Sequence, residues 1–239
     1  MNGLLCVLPV MLKETADICI NSLQRDDSAA GLDRSEILVV DNSRDGWADQ
    51  RYGMRTHRDP DGHNLGVARS WNLGARQVLD DGLDYLVIMS ASMQFGPAMH
   101  TTWKAQMETF WGHNVIECDG HSWHLIALHR RLFETIGLFD ENFYPGYFEQ
   151  IDWCYRLRMV GLEQGFVHVW VNALSQGAGL HAPAISLPAD PLLDYYAAKW
   201  GGPKGEERWR HPYETKPLDY WDAPPIPELA ERYGLEVWW

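Results

Sequence analysis

Three short apolar runs separated by helical patterns constrain the fold more than any other feature of the sequence. The runs are Leu4 to Leu8, Glu36 to Val40 and Tyr85 to Met89, and small or polar residues follow each of them. Continuous apolar runs of this length are typical of parallel strands that are buried on both faces. Helical periodicity covers Glu14 to Gln24 and Gly66 to Leu79. This alternation predicts an α/β fold with an open, mostly parallel sheet flanked by helices.

The residues that follow these runs predict where a ligand binds. Ligands of open α/β sheets bind at the carboxyl ends of the strands. The three ends carry Pro9-Val10, Asp41-Asn42-Ser43 and Ser90-Ala91-Ser92, which are turn-forming or hydrogen-bonding residues. The sequence therefore places a site at this edge before its chemistry is known.

The length of 239 residues fits one α/β domain with a tail. A helix after Pro97, a β-like run from His124 to Leu128 and a helix from about Gln150 to Val160 complete the predicted cleft. Beyond about Ala182 the chain is rich in Pro, Trp and Tyr and has little periodicity. We therefore predict a domain over residues 1–181 and an irregular, aromatic-rich C-terminal tail, residues 182–239, packed on it. The tail's role as a lid or as an oligomer contact stays open.

Composition and charge limit the partners and the compartment. The formal net charge of −13 repels nucleic acid and anionic lipid, and so disfavours a nucleic-acid partner. The first residues lack the features of a signal peptide, and no stretch has the apolar length of a membrane span. The four cysteines stand at no metal-site spacing and inside apolar patterns, as reduced core cysteines do. These features predict a cytoplasmic protein without a membrane span.

The segment His63 to Gly74 combines a predicted helix start with polar side chains. Asn64 lies at the helix entrance, Arg69 in the early turns and Asn72 eight residues after Asn64. A helix N-terminus with a nearby arginine suits a pyrophosphate, and the alternative is a simple capped amphipathic helix. Asp41 and its neighbours have two interpretations as well: they bind a base or ribose hydroxyls, or they form an Asx-turn.

Two ordered motifs stand out in the sequence. Asp41-Asn42-Ser43 is followed by the Asn-x-Gly-x-x-x-x-x-Asn-x-Gly spacing of His63 to Gly74. The second motif is Gly137-Leu138-Phe139-Asp140-Glu141, followed by an acidic helix start from Tyr147 to Arg156. Together they resemble the family-2 glycosyltransferases of GT-A fold, and particularly their rhamnosyltransferase-like branch. The resemblance covers roughly residues 4 to 175. It implies a nucleotide diphospho-sugar donor. The residues that it assigns to the donor are Pro9, Asp41, Asn42, Asn64, Gly66, Arg69, Asn72, Ser90, Ala91 and Ser92.

The sequence departs from the family at the metal site. Where the family has Asp-x-Asp or Asn-x-Asp to hold a divalent cation, this chain has Ser90-Ala91-Ser92, and the family's later metal-ligand histidine falls near Ser175-Gln176. Hydroxyls are poor ligands for Mg²⁺ or Mn²⁺. The resemblance therefore implies that the metal site is lost, so that no metal cofactor is expected. Arg69 is the first candidate to offset the diphosphate charge. Weaker candidates are Lys13, His63 and His181.

The family's catalytic base is an acidic residue at the start of the helix after Phe-Asp-Glu. Gln150 stands where the commonest family aspartate stands, and glutamine is no base. Glu149 and Asp152 lie within the same first turn, so the resemblance leaves both as candidate bases. It assigns Asp140, Glu141 and Tyr147 to the acceptor side of the cleft.

The leading hypothesis is an inverting, metal-independent glycosyltransferase that transfers a hexosyl or deoxyhexosyl group. Its acceptor is a glycan, a lipid-linked glycan or another hydroxyl. One alternative is a non-catalytic GT-A-fold binding protein, because both the metal motif and the commonest base position are altered. A further alternative is a phage-type enzyme that acts on a modified nucleic-acid base. That activity requires a basic strip, and the only compact cluster in the sequence is His129-Arg130-Arg131.

Overall fold

The structure, a computed structural model, describes residues 2–48, 52–162, 165–175 and 189–235. Its centre is a seven-stranded sheet of order β3-β2-β1-β4-β7-β6-β8, and β5 and β9 form a separate two-stranded ribbon. The strands are β1 (Leu4–Val10), β2 (Ile37–Asp41), β3 (Arg55–Arg58), β4 (Tyr85–Met89), β5 (Met93–Phe95), β6 (Val115–Cys118), β7 (Leu125–His129), β8 (Phe166–Val169) and β9 (Ala173–Ser175).

Helices cover both faces of the sheet. They are α1 (Lys13–Leu23), α2 (Gly66–Asp80), α3 (Trp103–Thr109), α4 (Arg130–Ile136), α5 (Glu149–Met159), α6 (Ala189–Trp200) and α7 (Ile226–Arg232). Within the described ranges, no helix combines the length and the apolar character that crossing a bilayer requires.

Strand direction is mostly parallel, with one reversal that shapes the site. β1 runs parallel to β2 and β4, β2 parallel to β3, and β6 parallel to β8. β7 is antiparallel to both of its neighbours, β4 and β6. The predicted α/β fold with an open, mostly parallel sheet is therefore confirmed. Because β7 is reversed, its first residues lie at the same edge as the carboxyl ends of β1, β2 and β4.

Two apolar cores sandwich the sheet, and alternate strand residues belong to different cores. Leu5 and Val7 pack on the side of α2, α4, α5, α6 and α7, whereas Cys6 and Leu8 pack on the side of α1 and α3. Successive side chains of a strand point to opposite faces, so β1 needs apolar residues at every position to fill both cores. This explains why its sequence is continuous rather than alternating.

The four cysteines are free thiols. Cys6, Cys19 and Cys118 are buried, and burial raises the pKa of Cys19 to about 12. A thiol with such a pKa stays protonated and acts as a small apolar side chain.

The C-terminal part of the chain is more regular than its composition indicated. Helices α6 and α7 pack against the core on the α5 side, and Trp200 and Leu229 are fully buried there. Each of these helices buries one face through large aromatic and aliphatic side chains. The prolines and tryptophans of this part of the chain conceal the helical periodicity in the sequence. The boundary predicted at residue 182 lies outside the described residues.

Candidate functional site

A cavity of about 380 Å³ opens at the carboxyl edge of the sheet, where the sequence predicted a site. Nine of the predicted site residues line it, from β1, β2, the start of α2, the end of β4 and the start of α5. They are Pro9, Asn42, Asn64, Gly66, Ser90, Ala91, Ser92, Tyr147 and Glu149. The structure thus brings together residues that are up to 140 positions apart in the sequence.

Hydroxyl groups and one imidazole form the corner of the cavity after β4. Ser92 Oγ lies 2.8 Å from Ser90 Oγ, 3.2 Å from His124 Nδ1 and 3.4 Å from Ser175 Oγ. His124 immediately precedes β7, and its carbonyl accepts the Ser90 N–H at 2.8 Å. Burial lowers the pKa of His124, and the neighbouring His121 lowers it further. The imidazole is therefore neutral at pH 7, and it can donate or accept a hydrogen bond.

The donor groups of this corner do not fit a divalent cation of the kind that the Asp-x-Asp motif of the family holds. Among the described residues that line the cavity, Glu149 is the only carboxylate, and it belongs to α5 rather than to the serine corner. Mg²⁺ and Mn²⁺ prefer carboxylate oxygens to hydroxyls. Gln176 and His181 lie outside the described residues.

One group elsewhere could offer three metal ligands. It comprises Asp59, Asp61 and His63, in the loop after β3. None of the three lines the cavity. Asp59 Oδ2 accepts the backbone N–H groups of Asp61 and His63, each at 3.1 Å, and lies 3.3 Å from His63 Nδ1. These contacts hold His63 in its own loop rather than at the cavity.

Glu149 presents a buried carboxylate to the cavity. It is the first residue of α5, and the residue is 3% exposed. Within the described structure its Oε2 has no hydrogen-bond partner. Burial raises the pKa of Glu149 to about 8, and the negative charge of Asp152 contributes to the increase. A carboxyl group that titrates near neutral pH in a cavity is suited to exchanging protons with a ligand.

Asp152, the second candidate base, does not reach the cavity. Its Oδ1 lies 2.7 Å from Lys199 Nζ and accepts Trp200 Nε1–H at 2.9 Å, and its Oδ2 accepts Arg156 Nε–H at 3.0 Å. The side chains of Asp152, Arg156 and Lys199 have no exposed surface. The position one turn after Glu149 therefore serves a buried ion-pair network that links α5 to α6.

The two acidic residues predicted on the acceptor side are buried as well. Asp140 Oδ2 lies 2.8 Å from Lys199 Nζ and accepts the Tyr195 hydroxyl at 2.7 Å. Burial raises the pKa of Asp140, but Lys199 and the hydrogen bonds outweigh burial and hold it below its usual value. Glu141 is ion-paired to Arg69 and Arg76 at 2.9 Å each. Neither carboxylate lines the cavity.

Arg69 and Asn72 do not contact the cavity, contrary to the predicted role in donor binding. Arg69 Nε lies 2.9 Å from Glu141, and its Nη2 donates to the Pro224 carbonyl at 2.6 Å. Asn72 donates to Glu141 Oε1 and to the Phe139 carbonyl, each at 2.9 Å. Both residues therefore attach α2 to later parts of the chain.

The start of α2 is also occupied by the protein itself. Gly66 N–H donates to Asn64 Oδ1 at 2.8 Å, and Val67 N–H donates to the Pro145 carbonyl at 2.8 Å. Helices α1 and α5 instead begin beside the cavity at Leu12 and Phe148, which provide no side-chain cap. These two helix starts have the positive end of their dipoles at the cavity.

Asp41 and Asn42 differ in their access to the cavity. Asp41 is fully buried, and it accepts the backbone N–H of Ser43 at 2.9 Å and of Ala48 at 3.1 Å, as the Asx-turn interpretation requires. Asn42 lines the cavity, although it also accepts from Leu65 N–H at 3.0 Å. Only Asn42 is placed to contact a ligand.

Sequence reasoning missed His124 and Trp71 as cavity residues. Trp71 stacks on Trp123 with ring centroids 5.8 Å apart, and both rings line the cavity. Trp123 has a φ of 60°, which is unusual for a bulky side chain. The helical position of Trp71, one residue before Asn72, was the available signal.

The only compact basic cluster of the sequence is engaged in local contacts. Arg131 donates to the Asn114 side chain and to the Gly112 carbonyl, Arg130 lies 3.9 Å from Glu134, and His129 caps α4. These contacts do not favour a nucleic-acid acceptor.

No protein-family model and no curated protein matches the sequence. The fold is similar to solved structures. The mannosyltransferase PcManGT from Pyrobaculum calidifontis, with GDP-Man and Mn²⁺, is 13% identical with a TM-score of 0.51, over 79% of this chain and 59% of that one. S. aureus TarS 1-349 with UDP-GlcNAc is 11% identical with a TM-score of 0.50, and the match covers 79% of this chain and 63% of that one. GalNAc-T7 with UDP, GalNAc and Mn²⁺ is 12% identical with a TM-score of 0.52, and the match covers 98% of this chain and 55% of that one.

These similarities establish the GT-A fold that the sequence motifs implied. At identities of 11 to 13% they show the fold alone. The chain spans 55 to 63% of the length of these three proteins.

Proposed function

We propose that this protein is an inverting glycosyltransferase that uses a nucleotide diphospho-sugar and no metal ion. The observation that carries the proposal is the Glu149 carboxylate, which is buried, lacks a partner at Oε2 among the described residues and faces the cavity. Leaving such a group unpaired is costly, and sites that do chemistry are where proteins tolerate this cost. The named structural neighbours hold GDP-Man, UDP-GlcNAc, or UDP together with GalNAc, which supports a nucleotide-sugar donor here.

Glu149 acts as the general base in this proposal. Its carboxylate accepts the proton of an acceptor hydroxyl while the hydroxyl oxygen attacks the anomeric carbon of the donor. The bond between that carbon and the diphosphate oxygen breaks at the same time, so the configuration inverts and the nucleoside diphosphate leaves. With the pKa of Glu149 at about 8, the rate rises with pH up to about 8 and levels off above it.

The serine corner and the start of α1 stabilise the leaving diphosphate. Ser90 and Ser92 offer hydroxyl donors, and His124 offers a ring N–H once its Nδ1 accepts from Ser92. The start of α1 adds backbone N–H groups and the positive end of the dipole. This assignment replaces Arg69, which is bound to Glu141.

The aromatic side of the cavity holds the acceptor. Trp71 and Trp123 form a stacked pair on the wall that also contains Tyr147, which is 53% exposed. Aromatic faces pack against the C–H faces of sugar rings, and the tyrosine hydroxyl contributes a hydrogen bond. A glycan, free or lipid-linked, therefore fits this wall as the hydroxyl acceptor. The buried free thiols support the reducing cytoplasm as its compartment.

The test begins with titration of UDP, GDP and dTDP and their sugars, in EDTA and in Mn²⁺, followed by product analysis for sugar release and transfer. We expect binding and turnover that EDTA leaves unchanged. Glu149→Gln lowers turnover by about 100-fold or more without weakening donor binding. Glu134→Gln, an exposed carboxylate on α4, is the matched control and retains wild-type turnover.

Three outcomes contradict parts of this proposal. Full turnover by Glu149→Gln excludes Glu149 as the base. Loss of turnover in EDTA excludes the metal-free site. Donor binding with no turnover for any acceptor identifies the non-catalytic binding protein instead.

A further inference from the structure

A second cavity, of about 360 Å³, lies among α6, the segment of residues 212–222 and the end of α7. It shares no lining residue with the first cavity among the described residues. Two cations, three tyrosines and one aspartate contribute to its wall. They are Lys216, Arg232, Tyr195, Tyr213, Tyr220 and Asp222.

The two cations have no carboxylate partner in the described ranges. Lys216 Nζ lies 4.8 Å from the centroid of the Tyr220 ring, and Arg232 Nη1 donates to Asn142 Oδ1 at 3.0 Å. The chain has 33 acidic and 20 basic residues, so two unpaired cations on one wall run against its average charge. The wall carries these two cations against the single carboxylate of Asp222, so it attracts an anion such as a phosphate monoester.

The remaining wall suits a hydroxylated ring. The rings of Tyr213 and Tyr220 pack edge to face, with centroids 6.1 Å apart. This arrangement leaves aromatic surface at the cavity. Asp222 contributes a carboxylate that accepts hydrogen bonds from sugar hydroxyls. Aromatic faces beside a few polar groups are the usual composition of small-molecule sites.

The wall is held in place before any ligand arrives. Asn142 is 2% exposed, and its Nδ2 donates to Asp140 Oδ1 at 2.9 Å and to the Asp222 carbonyl at 3.2 Å. Tyr213 and Glu214 have φ values of 50° and 68°, in the left-handed region that non-glycine residues rarely occupy. Such conformations persist where the surroundings enforce them, and they cluster at ligand sites.

We propose that this cavity binds a phosphorylated sugar. The phosphate lies between Lys216 and Arg232, the ring packs on Tyr220, and Asp222 accepts from a hydroxyl. This site is separate from the cavity that contains Glu149, and the proposal does not depend on the function proposed for that cavity.

Isothermal titration with glucose 1-phosphate, inorganic phosphate and glucose tests the proposal. We expect glucose 1-phosphate to bind more tightly than either fragment. Lys216→Gln and Arg232→Gln should each weaken it about tenfold or more, because each removes a charged hydrogen bond. Lys204→Gln, an exposed lysine outside this wall, should change nothing. His124→Ala in the first cavity should leave this binding unchanged too.

Three results overturn the proposal. The first is wild-type affinity in both Lys216→Gln and Arg232→Gln. The second is no binding to the wild type at millimolar concentration. The third is loss of binding in His124→Ala alone, which assigns the ligand to the first cavity. If Arg232→Gln fails to fold because Asn142 loses its partner, Lys216→Gln decides the question, because Lys216 is exposed and its ammonium group packs on the Tyr220 ring.

Discussion

The raised pKa of Glu149 makes a prediction about stability that needs no knowledge of the substrate. The pKa rises from 4.5 to about 8 in the folded protein, so the folded state holds this proton more tightly than the unfolded chain. The stabilisation is complete below about pH 4.5 and is lost as the pH rises through about 8, at up to about 1.4 kcal/mol per pH unit. Between about pH 5 and about pH 7, the ionisation of Glu149 lowers the free energy of unfolding of the wild type by roughly 2 to 3 kcal/mol.

Glu149→Gln removes this dependence, because glutamine keeps the shape and does not ionise. The variant should match the wild type near pH 5 and be more stable near pH 7, by roughly 5 to 10 °C in Tm for a domain of this size. Thermal and urea unfolding followed by circular dichroism, at several pH values across this range, measure the difference. Glu134→Gln is the control, and its stability should follow the wild type at every pH.

Parallel pH profiles for the wild type and Glu149→Gln would refute the reasoning. They would mean that the carboxyl titrates near its ordinary value in the folded protein, and therefore that it is hydrated or paired. In that case its role as a base poised near neutral pH would fail as well.

Three further predictions concern the network, the cavity wall and the serine corner. Lys199→Met leaves Asp140 without a counter-ion and Asp152 with Arg156 alone. It should cost about 3 to 5 kcal/mol in urea unfolding, whereas Lys204→Met should be neutral. Gly66→Ala should lower stability by about 1 kcal/mol or more, because its φ is +74° and a Cβ would lie 2.8 Å from a carbonyl oxygen; an unchanged Tm would contradict this. Ser90→Asp with Ser92→Asp should create Mn²⁺ binding detectable by calorimetry. If no Mn²⁺ binds, the loss of two carboxylates does not explain why this corner differs from a metal site.

The sequence was sufficient to predict the sheet and the edge that carries the site. Burial on both faces forces a strand such as β1 to be apolar throughout, and this pattern is local and readable. The polar residues after β1, β2 and β4 follow directly from the strand ends. Pro9, Asn42 and Ser92 were therefore predicted and do line the cavity.

Side-chain direction could not be predicted, because the partners are distant in the sequence. Arg69 lies at a helix start as a phosphate ligand would, but its partners are Glu141 and the Pro224 carbonyl, 72 and 155 residues away. Asp152 matched a family position for a base, but its counter-ion Lys199 comes from α6. Pairings between residues so distant in the sequence leave no local pattern. A carboxylate that is paired to a buried cation is no more available in the site than one that has been substituted.

His124 was missed because strand direction is not encoded in a short apolar run. Had β7 run parallel to β4, the residue before it would lie at the opposite edge of the sheet. Because the pairing is antiparallel, with Met89 opposite Leu125, His124 faces the serine corner.

Because β7 is reversed, the six residues between β6 and β7 form a hairpin loop at the cavity, and this loop can vary independently of the sheet. Both flanking strands are pinned inside the sheet by neighbours on each side, while the connecting loop carries Trp123 and His124 to the cavity. Insertions or replacements there alter the shape and polarity of the pocket and leave every strand pairing intact. A laboratory library confined to residues 119–124 therefore varies the pocket on a sheet whose strand order stays the same.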